Sequence, residues 1–120
     1  MSTSRVFKTA WFSKRAKKSA ISDSELCAAI KQVMQGQADN LGGGVFKKRL
    51  NNNMHRSIIL AKGEHFWVYQ YLFAKKDLDN IDEGELLAFR QLAKSYAELT
   101  TAHVDELVRI NEFMEICHDS

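Results

Sequence analysis

The sequence predicts an α+β domain whose antiparallel sheet is covered by helices on one face. Three observations carry that expectation. Residues 45–74 hold β-branched and aromatic runs separated by hairpin-like connections. Capping boxes at Ser22 and Asp82 each precede apolar residues at helical spacing. No proline, repeat or low-complexity tract divides the 120 residues, so residues 1–120 read as one domain. With 45% hydrophobic and 27% charged residues, that domain can build a core without needing a disulfide or a structural metal.

The elements follow in chain order. Arg5-Val6-Phe7-Lys8-Thr9 alternates as a strand does. From Ala10 to Lys18, Trp11, Phe12 and Ala16 fall on one side of a helix whose other side shows Lys14, Arg15, Lys17 and Lys18. Ser22-Asp23-Ser24-Glu25 opens a second helix, Leu26, Ile30, Val33 and Met34 form its apolar stripe, and Gly36 ends it. Asn40 to Gly44 is a turn in which successive glycines permit positive φ or a close approach of another segment. Val45–Leu50, Arg56–Lys62 and His65–Ala74 form an antiparallel meander across Asn51-Asn52-Asn53 and Lys62-Gly63-Glu64. Simple alternation in the last run puts Phe66, Val68 and Leu72 on one face and Trp67, Tyr69, Tyr71 and Phe73 on the other, as in a central strand. A third helix starts at Asp82 with Leu86, Phe89, Ala93 and Tyr96 facing inward, and Val104, Leu107 and Val108 support a fourth. Phe113 to Cys117 reads equally as an edge strand or an ordered tail.

The net charge of +2 hides an asymmetry. Residues 1–76 carry 14 Lys/Arg against 4 Asp/Glu and residues 77–120 carry 3 against 11, a net of +10 and of −8. The first part predicts a polyanion-binding surface, with nucleic acid the first polyanion to consider and the open sheet face or its end the place for it. The acidic part is either a solvated surface or a segment folded beside the basic face that limits access to it. No apolar run approaches a membrane span and the N-terminus is basic and polar, so a cytoplasmic protein without a membrane partner is expected. Cys27 and Cys117 lie far apart in a chain without an export signature, which favours reduced thiols over a bridge. Cys27, Cys117, His103 and His118 lack the paired spacing of a zinc site, and neither a metal nor a small-molecule cofactor is expected.

Four stretches, Arg5-Val6-Phe7-Lys8-Thr9 with Trp11-Phe12, Leu41 to Arg49 (LGGGVFKKR), Phe73-Ala74-Lys75-Lys76 and Asp79-Asn80-Ile81, taken with the element order, resemble RelE-like toxins. These belong to bacterial type II toxin-antitoxin modules, within the RelE/ParE superfamily. The resemblance implies a small twisted antiparallel sheet with two N-terminal helices packed on one face and C-terminal helices beyond it. It implies a toxin that inhibits translation by ribosome-dependent, metal-independent cleavage of mRNA through 2′-hydroxyl attack. Its partners are then a cognate antitoxin, the ribosome and mRNA. Two alternatives stand beside it: a non-nuclease superfamily toxin such as a DNA gyrase inhibitor, and a non-toxic nucleic-acid-binding regulator.

By position, the resemblance assigns the transition-state arginine to Arg56, the strand basic pair to the segment Lys47, Lys48 and Arg49, and a second cation to Lys76 or Lys75. Lysine at the last position keeps the charge but loses the bidentate fork. The tyrosine or histidine that family members carry near the end of this region is missing from Asp77 to Asp82. His55 and His65 are candidate general acids or bases because histidine side chains suit that role, and a lysine with a depressed pKa is the other candidate base. The candidate catalytic residues are thus Arg56, Lys47, Lys48, Lys76 and His55, with Arg49, Lys75 and Lys62 as RNA-binding cations. A plainer reading of the cations is a solvated edge that discourages strand pairing. The tyrosines and Trp67 of the last long strand either stack on bases or fill the core.

Overall fold

The computed structural model describes residues 4–117 apart from Glu64 and Asp79, so those two positions and His118 lie outside the described residues. In chain order the elements are β1 (Arg5–Thr9), α1 (Ala10–Lys18), α2 (Asp23–Met34), β2 (Asp39–Gly42), β3 (Val45–Leu50), β4 (His55–Lys62), β5 (Phe66–Ala74), α3 (Glu83–Ala97), α4 (Thr101–Arg109) and β6 (Phe113–Ile116). The strands form one sheet ordered β2-β3-β4-β5-β1-β6. The expected α+β fold is present, with one refinement: β1 runs parallel to β5, and the other neighbouring pairs are antiparallel. The segment after Phe113 is a strand, and the expected turn at Asn40 begins as the short edge strand β2. Among the described residues no helix is long and apolar enough to cross a membrane.

Helices cover both faces of the sheet. Ile58, Ile59 and Leu60 are consecutive and fully buried, so each face of β4 must be shielded from water. On one face Leu26, Ile30 and Val33 of α2 and Phe12 of α1 pack on Val6, Ile59, Trp67, Tyr69 and Leu72. The second face is not open, as the sequence suggested: Val45, Ile58, Leu60 and Phe73 lie under Ala93 of α3, and Phe7, Val68 and Phe113 lie under Val104 of α4. The signal missed was the apolar character of both sides of β4.

A bulge reorders β5. Ile58 pairs with Tyr71 and Ile59 with Tyr69, which leaves Gln70 without an opposite residue. Simple alternation therefore fails past Tyr69. Trp67, Tyr69 and Leu72 share the α1–α2 face, whereas Tyr71 and Phe73 join the core under α3. Gln70 itself accepts a 2.7 Å hydrogen bond from the Tyr96 hydroxyl.

Local signals explain the helix ends. Asp82 and Glu85 form a complete capping box at α3. At α2 only half of it forms, because Ser22 Oγ accepts from the Glu25 N–H while the Glu25 carboxylate accepts from the Asn51 N–H at 2.5 Å. The glycine turn serves close packing. A Cβ on Gly43 (φ 64°) would lie 2.8 Å from Arg90 Cγ, and one on Gly44 (φ 84°) would lie 2.8 Å from the Ala61 carbonyl oxygen.

Only the end of the acidic part lies away from the cations of β3, since α3 packs on β3 and β4. Strand β6 pairs with β1 at the opposite edge of the sheet, where Arg5 donates to Glu115 through Nε and Nη2, both at 2.9 Å, and to Asp105 at 3.2 Å. The hydrogen bonds to Glu115 raise the Arg5 pKa further above its already high value. The described residues of β6 therefore do not cover β3.

Cys27 and Cys117 are joined by a disulfide, with a Cα–Cα distance of 5.4 Å, where the sequence favoured free thiols. Sequence separation hid the proximity: packing α2 on the sheet beside β6 brings the two sulfurs together. Closing a loop with a separation of 90 residues restricts the unfolded chain. The chain-entropy model puts its worth at about 4.6 kcal/mol. Cys27→Ser should lower the unfolding free energy by about that much in urea titrations, and added reductant should have the same effect on the wild-type protein. An equal midpoint in oxidised and reduced protein would show that the bridge adds nothing.

Candidate active site

Three asparagines carry the chain from β3 into β4. Asn51, Asn52 and Asn53 have φ values of 54°, 53° and 70°, a left-handed run that asparagine tolerates better than most side chains. The turn is tied from several sides. Asn51 donates its backbone N–H to Glu25, and its Nδ2 donates to the Ser19 carbonyl at 3.4 Å. The same Nδ2 lies 3.1 Å from His55 Nδ1. Because a carbonyl can only accept, the amide nitrogen faces the ring, His55 Nδ1 accepts, and the proton of the neutral imidazole sits on Nε2. The Met54 carbonyl accepts from the Lys75 N–H at 2.9 Å, which fixes the exit of β5 against the turn.

Arg56 follows on the other face of β4. It is only 7% exposed, and its Nη1 donates to the carbonyls of Asn53 (2.9 Å) and His55 (3.2 Å). No carboxylate among the described residues pairs with it, and Nη2 has no hydrogen-bond partner there while keeping contact with solvent. Directly opposite, in register, stands exposed Arg49. Like charges facing each other across a strand pair are destabilising, so this arrangement costs stability until an anion lies between them.

Two adjoining cavities open at this end of the sheet. The larger, about 700 Å³, is lined by Lys18, the asparagine turn, His55, Lys75 and Lys76. The smaller, about 390 Å³, shares Ser19, His55, Ala74 and Lys76 and adds Trp11, Arg15 and Tyr71. The structure thus brings His55, Lys75 and Lys76 together, while Arg56, next along β4 but on its other face, and Arg49 opposite it line neither cavity. Lys47 and Lys48 line a separate cavity of about 280 Å³ with Arg49. Lys47 Nζ lies 3.4 Å from Asn80 Oδ1 and 3.6 Å from Asp39, and Lys48 Nζ donates to the Gln37 carbonyl at 3.0 Å. Partial burial and the Arg49 cation lower the Lys48 pKa, so it is the depressed lysine the sequence allowed for, though its amine points away from the cleft. Lys62 and His65 are not brought in. They line a cavity with Arg5 at the far end of β4, about 23 Å along the strand from His55.

The sequence reading missed Asn51 as the residue that orients His55, and Lys18 and Arg15 as cleft cations. The basic side of α1 was visible, but the helix's position over the end of β5 was not. Trp67 and Tyr69 prove to be buried core, at 4% and 0% exposure. Burial drives the Tyr69 pKa strongly upward, and its hydroxyl donates to the Leu26 carbonyl at 2.6 Å.

A protein-family model described as the RelE toxin of the RelE/RelB toxin-antitoxin system matches residues 4–116. No curated protein and no solved structure matches the chain.

The orientation of His55 is directly measurable. In long-range nitrogen–proton NMR spectra the neutral ring should carry its proton on Nε2, and Asn51→Asp, which offers an acceptor in place of the donor, should move it to Nδ1. The same tautomer in both proteins would show that Asn51 does not set it.

Proposed function

This chain belongs to the RelE toxin family, the toxin side of a pair completed by an antitoxin, and from that premise we propose that it inhibits translation by cutting mRNA on the ribosome. The reaction is metal-independent attack of the 2′-oxygen on the adjacent phosphorus with loss of the 5′-oxygen, leaving a cyclic phosphate and a 5′-hydroxyl end. It needs a base to take the 2′-hydroxyl proton, charge stabilisation on the phosphorane and a proton for the leaving oxygen.

The observation that supports this reading is the gathering of cations where β4 begins: His55, Lys75 and Lys76 line one cavity, and the facing Arg49–Arg56 pair, without an acid partner among the described residues, lies on the other face of the same strand end. Arg56 Nη2 and Lys76 stabilise the phosphorane, and His55 Nε2–H donates to the leaving oxygen. Such preorganised donors are worth about 2.7–4 kcal/mol each in comparable sites. Lys75, Lys18 and Arg49 hold neighbouring phosphates, and Lys47 and Lys48 hold the strand farther from the scissile bond. The smaller number of hydrogen bonds that lysine offers at position 76 makes it a point charge rather than a fork.

Induced expression in a bacterium tests the proposal. Growth should stop and new 5′-hydroxyl mRNA ends should appear, and Lys76→Ala should slow their formation by about 100-fold or more while keeping its thermal midpoint. Growth arrest with altered DNA supercoiling and no new RNA ends would replace cleavage by gyrase inhibition. Unimpaired growth would leave a nucleic-acid-binding regulator.

A further inference from the structure

The wall of the smaller cavity carries a feature that the cleavage chemistry leaves unused. The Trp11 ring is stacked on Tyr71 with centroids 5.2 Å apart and planes 17° apart, and the Arg15 guanidinium lies 4.8 Å from the same indole centroid. Trp11 is 41% exposed, whereas its neighbour Phe12 is fully buried and anchors α1. The indole is therefore not required by the core. Tyr71 is held firmly from behind, 5.8 Å from Phe73 and 5.7 Å from Phe89 of α3. The result is an aromatic platform braced by the protein interior and open towards a cavity that also holds His55 and Lys76.

We propose that Trp11, Tyr71 and Arg15 form a stacking subsite for one unpaired RNA base next to the cleaved phosphate. This rests on the cleavage reading above and deepens it. An aromatic surface in a cavity lined by Arg15, Lys76 and one acid, Asp77, with Lys18 in the adjoining cavity, matches a planar ligand that carries negative charge beside its ring, which is the chemistry of a nucleotide. A protein side chain that stacked on Trp11 would leave those cations unmatched. The base covers the exposed part of the indole, and Arg15 turns from the ring to the adjoining phosphate, exchanging a cation–π contact for a charge-assisted hydrogen bond. Stacking does not discriminate strongly between bases, so the subsite positions the strand for in-line attack rather than selecting its sequence.

The protein contains two tryptophans, and Trp67 is 4% exposed, so fluorescence quenching by a ligand reports on Trp11. The test titrates the folded protein at low salt with a short single-stranded RNA made uncleavable by 2′-methoxy groups, and follows quenching together with the anisotropy of a labelled copy. Wild type should show both signals with one midpoint. Trp11→Phe should retain binding and lose the quenching, and Trp11→Ala, checked by circular dichroism, should bind about 5- to 150-fold more weakly. Binding without quenching, and undiminished in Trp11→Ala, would overturn the subsite and leave the cleavage reading standing. No RNA binding by the wild-type protein would overturn the subsite, while the cleavage reading stands or falls on the new 5′-hydroxyl ends. Quenching by an antitoxin peptide but not by RNA would give the platform to a protein partner instead.

Discussion

A sheet covered on both faces can present chemistry only at its edges and at the ends of its strands. Here the cover is compulsory, because Ile58, Ile59 and Leu60 leave neither side of β4 tolerant of water. With α1 and α2 on one side and α3 and α4 on the other, polar groups gather where β4 begins and β5 ends. The asparagine turn, the two lysines after β5 and the start of α1 meet there for the same reason. Even the half-formed cap of α2 serves this arrangement, since Glu25 is spent on the turn that holds His55 rather than on its own helix.

Charge is sorted along the same sheet. The C-terminal acids Asp105 and Glu115 engage Arg5 across the β1–β6 edge, and the aligned pair of hydrogen bonds to Glu115 makes this more than a loose surface contact. Lys8 is likewise bound to Asp23 at 2.7 Å. The cations at the other end of β4 and β5 are left with few such partners, and their field points into the cleft. The end of the acidic part thus neutralises Arg5 at the β1–β6 edge rather than the cations of the cleft.

Most of the fold was legible because it rests on local patterns. Apolar spacing gave both N-terminal helices, capping residues gave α3, and the runs from Val45 to Ala74 gave three strands. The parallel pairing of β1 with β5 was not legible, because nothing in Arg5–Thr9 names its partner. Nor was the bulge at Gln70, which adds one residue to β5 and changes the face of everything after it. The candidate site was legible to the extent that sequence neighbours are spatial neighbours: His55 with Arg56, and Lys75 with Lys76. Lys62 shared their charge and not their location, because eight residues of extended strand carry it to the other end of the sheet.

The position of β1 also governs the order of assembly. Strand β1 lies between β5 and β6, and it can pair with neither until residue 66 has emerged. Contacts of such long range raise the entropy lost before any stabilising contact is gained, so folding is slow compared with that of a locally paired meander. At about 5–20 residues per second, synthesis of the rest of the chain takes seconds. During that interval Val6 and Phe7 remain exposed and the cleft lacks the α1 wall that β1 positions. The cleft is therefore completed only after the strands that flank β1 have been made.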